Sequence, residues 1–174
     1  MATLSSLYGS TSSSNDITIT LASLASSSTS VAGRESNIVD NTTNLFLDAH
    51  VTGQITTGTS PTSGKIISVY VYSSIDANSG TFVLPVAGST ELTGADAAAT
   101  FDAEQRNSLK LAASIVINST SDRKYSFTFS VASLFGGNMP LKWGVWVTHD
   151  TAVNLNSTSG NHWITYTGIK ETVA

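Results

Sequence analysis

The stretch Leu141-Lys-Trp-Gly-Val-Trp-Val-Thr-His-Asp150, followed shortly by Gly160-Asn-His-Trp163, holds all three tryptophans and two of the three histidines of a 174-residue chain. Its β-branched and aromatic residues, with no proline, read as a strand. Alternation places Trp143, Val145, Val147 and His149 on one face and Lys142, Gly144, Trp146, Thr148 and Asp150 on the other. Residues 162–169 read as the last strand, with His162, Ile164 and Tyr166 opposite Trp163, Thr165, Thr167 and Ile169. The two strands are close in sequence, so antiparallel pairing with each other is expected, the indole rings packing across them. One of Trp143 and Trp146 then faces the core, and the other is buried only under a loop or a neighbouring subunit. The rival reading is a stacking platform for sugar rings.

The rest of the chain extends the all-β reading. Charged residues are 11% of the sequence, far below the usual quarter, and Ser and Thr fill the gap. Such a surface disfavours helices, whose exposed faces carry long charged side chains, and suits strands and turns. Period-2 alternation marks strands at residues 16–21, 44–55, 65–75, 108–117, 124–131 and 143–148. In the second of these, Leu45, Leu47, Ala49, Val51 and Ile55 share one face. Residues 108–117 and 124–131, joined by a polar turn, read as a hairpin. Residues 32–37 read as irregular. Residues 76–107 are the least regular region, with a short strand at 81–84 and a possible helical turn in the alanines after Gly94. The expected architecture is a single antiparallel β-sandwich, jelly-roll-like, over residues 16–174, preceded by a flexible polar arm over residues 1–15. Leu4, Leu7 and Tyr8 are the arm's apolar contact residues, and its backbone is suited to extending a neighbouring sheet.

The chemistry-bearing residues point away from catalysis. The net charge is −4 with only eight Lys and Arg, none in a run, which disfavours nucleic acid as a partner. No apolar stretch approaches the ~20 residues of a membrane helix, and the start lacks the basic and apolar regions of a secretory signal. There is no cysteine, hence no thiol nucleophile or thiolate metal site. The triplets at Asn41, Asn118 and Asn156 read as chance products of composition rather than glycosylation sites. His50, His149 and His162 with Asp48 or Asp150 are the only candidate metal ligands. Adjacent His and Asp point to opposite faces of a strand, and no His-x-His spacing occurs. A Ser-His-Asp triad lacks its Gly-x-Ser-x-Gly setting, and no paired-carboxylate or phosphate-loop signature is present. The expectation is therefore no enzyme, no cofactor and no metal. Arg34 and Glu35 read as a surface pair or as a buried anchor at a subunit contact. Arg34 and Trp146 join Leu4, Leu7 and Tyr8 as the expected interaction residues.

Three stretches carry a resemblance. Asn37-Ile-Val-Asp-Asn-Thr-Thr-Asn-Leu-Phe-Leu-Asp-Ala49, Phe129-Ser-Val-Ala-Ser-Leu-Phe-Gly-Gly-Asn-Met-Pro-Leu-Lys-Trp-Gly-Val145 and Ser159-Gly-Asn-His-Trp-Ile-Thr-Tyr-Thr-Gly168, together with Leu7-Tyr8-Gly9, resemble a family of small all-β virion proteins of tailed bacteriophages. The resemblance covers most of the chain in order, except residues 76–107, and its motifs are packing and turn motifs. It implies a structural protein made in the host bacterial cytoplasm and located in the virion. The implied role is capsid decoration or cement, contacting the major capsid protein or other virion proteins as a homo-oligomer, with a trimer favoured. A tail or fibre-attachment protein that recognises host glycans is the alternative.

Overall fold

The computed structural model describes residues 4–8, 16–74 and 92–173. The expected strand at 81–84 lies outside them, as do residues 1–3 and 9–15 of the expected arm. In chain order the elements are β1 (Leu4–Tyr8), β2 (Ala32–Glu35), β3 (Val39–Asp40), β4 (Asp48–Thr56), β5 (Ile66–Ser74), β6 (Ala98–Thr100), the one-turn helix α1 (Ala103–Arg106), β7 (Lys110–Val116), β8 (Lys124–Ser130), the one-turn helix α2 (Val131–Leu134), β9 (Lys142–His149) and β10 (Trp163–Val173). A narrow sheet of four strands runs β1-β10-β4-β8, and a wide sheet of six runs β6-β2-β9-β5-β7 with β3 also paired to β9. Every pairing is antiparallel. The two sheets pack face to face as a β-sandwich.

The core follows from the alternation. Ala49, Val51 and Ile55 of β4, Ile67, Val69 and Val71 of β5, Phe127 and Phe129 of β8, and Trp143, Val145 and Val147 of β9 fill the space between the sheets. A second cluster lies outside the wide sheet, where Leu92, Ala99, Phe101 and Leu109 cover Tyr72 and Trp146. The described part of the region expected to be least regular, residues 92–107, forms a lid: β6 adds to the edge of β2, and α1 follows. The alanines after Gly94 form that strand instead of a helical turn.

Two expected pairings are corrected. β7 and β8 do not form a hairpin, because β7 pairs with β5 in the wide sheet and β8 pairs with β4 in the narrow one. The turn at 118–123 crosses the ~10 Å between the layers, tied by Asn118 N–H to the Tyr125 hydroxyl at 2.9 Å. Likewise β9 and β10 do not pair with each other. β9 lies between β5 and the β2/β3 edge of the wide sheet, and β10 lies between β1 and β4 of the narrow one. The inward side chains of each pair still meet, but across the sandwich rather than along a ladder.

Local boundaries also shift for identifiable reasons. Residues 16–21 keep their alternation, with Ile17 and Leu21 buried, Asp16 bridging to Thr165, Ile17 N–H donating to Ile164 C=O at 2.9 Å and Thr18 C=O accepting from Asn37 N–H at 2.8 Å. The backbone then leaves the sheet, because Thr20 donates from both its amide (2.8 Å) and its hydroxyl (2.7 Å) to Asp96. Strand β4 begins at Asp48, not at Asn44. Leu45 takes a left-handed φ of 52°, and the buried Asn41 side chain accepts from Phe46 N–H at 2.8 Å and donates to Phe46 C=O at 3.0 Å. That turn leaves Leu45 and Leu47 exposed rather than on the core face. Residues 32–35, expected to be irregular, form β2.

The N-terminal segment carries a further correction. Its backbone at Leu4–Tyr8 does not await a neighbour's sheet but pairs with Ile169–Val173 of its own chain as an edge of the narrow sheet.

Candidate functional site

The tryptophan-rich strand β9 has both faces buried. Trp143 and Trp146 are each 0% exposed. The Trp143 ring points between the sheets and meets Tyr166 of β10 edge-on, with centroids 5.5 Å apart. The Trp146 ring points the other way, beneath the lid, with Phe101 at 4.9 Å and Tyr70 at 5.5 Å, and its indole N–H donates to Ala99 C=O at 3.4 Å. Two glycines make room for this packing. A Cβ at Gly33 would lie 2.8 Å from the Trp146 ring, and one at Gly144 would overlap the Tyr72 ring. Trp146 is thus corrected as an interaction residue: the chain's own lid, not a neighbouring subunit, covers it.

Arg34 and Glu35 do not pair with each other, since successive residues of β2 point to opposite faces. Arg34 Nε contacts Asp96 Oδ1 at 2.6 Å, and its terminal nitrogen donates to Asp96 C=O at 2.6 Å. Burial pushes the Asp96 carboxyl up, but the hydrogen bonds from Arg34 and Thr20 outweigh it and hold the group below its ordinary range. Glu35 is buried and accepts from Thr93 N–H (3.2 Å), Thr93 hydroxyl (2.9 Å), Gly94 N–H (2.8 Å) and the Tyr72 hydroxyl (3.4 Å). Burial first, and the Glu35 charge second, push the Tyr72 hydroxyl far above its ordinary range, so it stays protonated. Together Arg34 and Glu35 clamp residues 93–96 onto β2. This corrects the surface-pair reading and places both side chains in an intramolecular clasp.

The three histidines sit apart in role. His50 lies on the outer face of the narrow sheet, bonded to the Thr128 hydroxyl at 2.9 Å. His162 donates from Nε2 to Asn156 C=O at 2.9 Å and accepts the Thr56 N–H at Nδ1 at 3.3 Å. His149, fully buried, donates from Nε2 to Leu24 C=O at 3.0 Å, and its Nδ1 meets the Thr151 hydroxyl at 2.9 Å. The two buried rings pin residues 150–162 and the Leu24 turn to the sandwich. Among the described residues no group of three or more His, Cys, Asp or Glu is placed to hold a metal ion.

A pH dependence follows. Burial holds both His149 and His162 below the ordinary 6.5, against the opposing pull of the Leu24 and Asn156 carbonyls. Below the unfolded value the denatured chain takes up protons that the folded chain resists, so their contribution is complete above 6.5 and is lost as pH falls from there toward the folded values. Each pH unit separating the two titrations is worth about 1.4 kcal/mol. Urea midpoints measured from pH 8 down to pH 5 should stay level at first and then fall below about 6.5; a level profile throughout would contradict this assignment.

Exposed surfaces remain. Trp163 is 43% exposed on the outer face of the narrow sheet, in register with Gln54 and, through it, Ser126. The neighbouring row is Thr165, Thr52 and Thr128. A cleft of about 450 Å³ opens between Lys110 and the 134–140 turn, lined by Phe135, Met139 and Pro140 and, among the described residues, by no carboxylate. The outer side of β7 carries Leu111 and Val116, which the alternation read as ordinary strand residues because period alone does not tell an edge from an interior strand. No protein-family model, curated protein or solved structure matches the chain.

Proposed function

We propose that this chain is a structural virion protein of a tailed phage, acting as a capsid decoration or cement protein through protein–protein contacts. The observation that supports this most is where the versatile side chains are placed. Glu35, His149, His162, Trp143 and Trp146 are all buried, with the carboxylate and both imidazoles bonded within the chain. Among the described residues, the outward features include a Ser/Thr-rich sheet face and an outer edge of β7 that no described strand pairs, materials suited to assembly. Strand order agrees with such a role. Numbering the strands consecutively with β3 and β6 set aside, the narrow sheet runs first, eighth, third, sixth, and the wide sheet second, seventh, fourth, fifth. Read as a jelly roll, this alternation fits an architecture used by viral capsid and lectin domains. In this reading the protein is made in the host cytoplasm, resides in the virion as a homo-oligomer, trimeric as the resemblance implies, and contacts the major capsid protein without cofactor or catalysis. Quantitative mass spectrometry of purified virions tests it. A copy number comparable to the major capsid protein's is expected, and a handful of copies per particle contradicts it.

A second reading is favoured by Trp163 alone. An exposed indole beside Gln54 on a flat hydroxyl-rich face is suited to stacking on a sugar ring, as in a tail or fibre-attachment protein that recognises host glycans. Loss of cell-surface glycan binding in Trp163→Ala, with capsid binding absent in the wild type, would favour it.

A further inference from the structure

Residues 156–162, Asn-Ser-Thr-Ser-Gly-Asn-His, form a polar loop between two core anchors, Leu155 and Ile164, each 2% exposed. His162 is the one buried side chain within it. Its partners fix its protonation. Nε2 lies 2.9 Å from Asn156 C=O, a group that only accepts, so Nε2 carries the hydrogen. Nδ1 lies 3.3 Å from the Thr56 amide nitrogen, whose N–H only donates, so Nδ1 is bare. The neutral ring satisfies both contacts, whereas the imidazolium donates from both nitrogens and opposes Thr56 with a second N–H. Both nitrogens are committed to backbone groups rather than to a carboxylate that would hold the cation. His149 differs. Its Nδ1 meets the Thr151 hydroxyl, which can accept as well as donate, so a proton there breaks no hydrogen bond.

We infer that His162 is a proton-operated latch: on protonation Asn161–Trp163 leave the end of β4, so the outer face carrying Trp163 is held at neutral pH and released by acid. The reach of the latch follows from its neighbours. Asn161 C=O accepts from the Thr56 hydroxyl at 2.7 Å and from the Gln54 amide at 3.2 Å, and Trp163 opens β10 in register with Gln54. Turning the ring away from Thr56 pulls on all three contacts, while Leu155 and Ile164 keep the ends of the loop in the core. Burial holds the His162 ring below its ordinary 6.5, against the pull of the Asn156 carbonyl. In the released loop the ring regains that ordinary value, so the closed form is complete above 6.5 and gives way as pH falls below it. The ionisable groups on the surrounding elements support this direction. Asp122, in the turn before β8, is bonded to Asn156 at 2.7 Å, and Asp150 accepts from Ile66 N–H at 2.6 Å and from Lys65 at 3.3 Å, so both carboxylates are engaged away from the ring. Arg123, Lys124 in register with Thr56, and His149 when charged all oppose a cation at His162. Residues 21–27 carry no ionisable side chain. This device goes beyond the virion reading and does not rest on it.

NMR of the intact protein, titrated from about pH 8 to about pH 5, reads the latch directly. The Thr56 amide and the Trp163 indole should shift with the midpoint of the His162 ring itself, below about 6.5. The Trp143 and Trp146 indoles should stay fixed over the same range. Hydrogen exchange at the Thr56 amide, corrected for the pH dependence of the exchange chemistry, should accelerate below that midpoint by up to about tenfold per pH unit, the limit for one proton. His162→Gln keeps one donor and one acceptor but cannot titrate, so it should hold both signals at their neutral-pH positions throughout. A Thr56 amide that follows the midpoint of His50 or His149 overturns the proposal, even if His162→Gln fails to fold. So does a Trp163 indole that stays fixed while His162 titrates. Simultaneous movement of all three indoles also overturns it, because that marks unfolding of the whole sandwich. None of these measurements depends on a virion, so they fail or succeed separately from the capsid role.

Discussion

Replacing Trp146 by alanine is expected to lower the unfolding free energy by about 3–5 kcal/mol, the range for emptying a buried aromatic site. The ring is 0% exposed and is packed by Tyr70, Phe101 and the backbone of Ala99, so its removal leaves a cavity between β9 and the lid. The lid residues cannot collapse into that space without pulling β6 off β2, because Glu35 and Arg34 fix residues 93–96 in place. Trp143→Ala should cost a similar amount from the opposite face of the same strand. Trp163→Ala, on an exposed ring, should stay within about 0.5 kcal/mol of the wild type. Urea unfolding followed by far-ultraviolet circular dichroism compares all three without relying on the fluorophore being removed. If Trp146→Ala unfolds at the wild-type midpoint, the lid does not bury it.

Glu35→Ala is expected to cost about 3 kcal/mol, since hydrogen bonds to a charged group contribute roughly 1.5–3 kcal/mol each and the buried carboxylate accepts several. The carboxylate is the common acceptor for Thr93, Gly94 and Tyr72. Without it the Thr93 and Gly94 amides lose their partner, while Tyr72 keeps Ser36 C=O at 2.9 Å. Glu35→Gln should be milder, since one amide oxygen still accepts but its NH₂ group faces other donors. The lid should loosen first, so limited proteolysis near residues 92–97 should accelerate in Glu35→Ala before the sandwich itself melts. Equal proteolysis rates in mutant and wild type would show that Glu35 does not hold the lid.

The faces of the strands were legible and their partners were not. Alternation in residues 142–149 placed Trp143 and Trp146 on opposite sides, and both sides proved buried. The same alternation is silent on which strand lies alongside. β7 and β8 are adjacent in sequence and belong to different sheets, because each found its ladder with a distant strand. The clasp was out of reach for a related reason. Arg34 meets Asp96 across 62 residues and Glu35 meets Thr93 across 58, inside a stretch whose small residues carry no periodic signal. Leu45 and Leu47 matched the apolar period, but Asn41 turns the backbone through a left-handed φ just before the strand begins. Among the expected interaction residues, Arg34 and Trp146 are bound within the chain.

The tryptophan-rich stretch builds two cores and offers no binding platform from β9. The most direct measurement is hydrogen–deuterium exchange at the three indole N–H groups, resolved by NMR in the intact protein. Buried groups exchange only through opening of the surrounding structure, whereas an exposed one exchanges freely. Trp143 and Trp146 should remain protected long after Trp163 has exchanged. Rapid exchange at Trp146 or Trp143 would place that ring in contact with solvent and contradict the account.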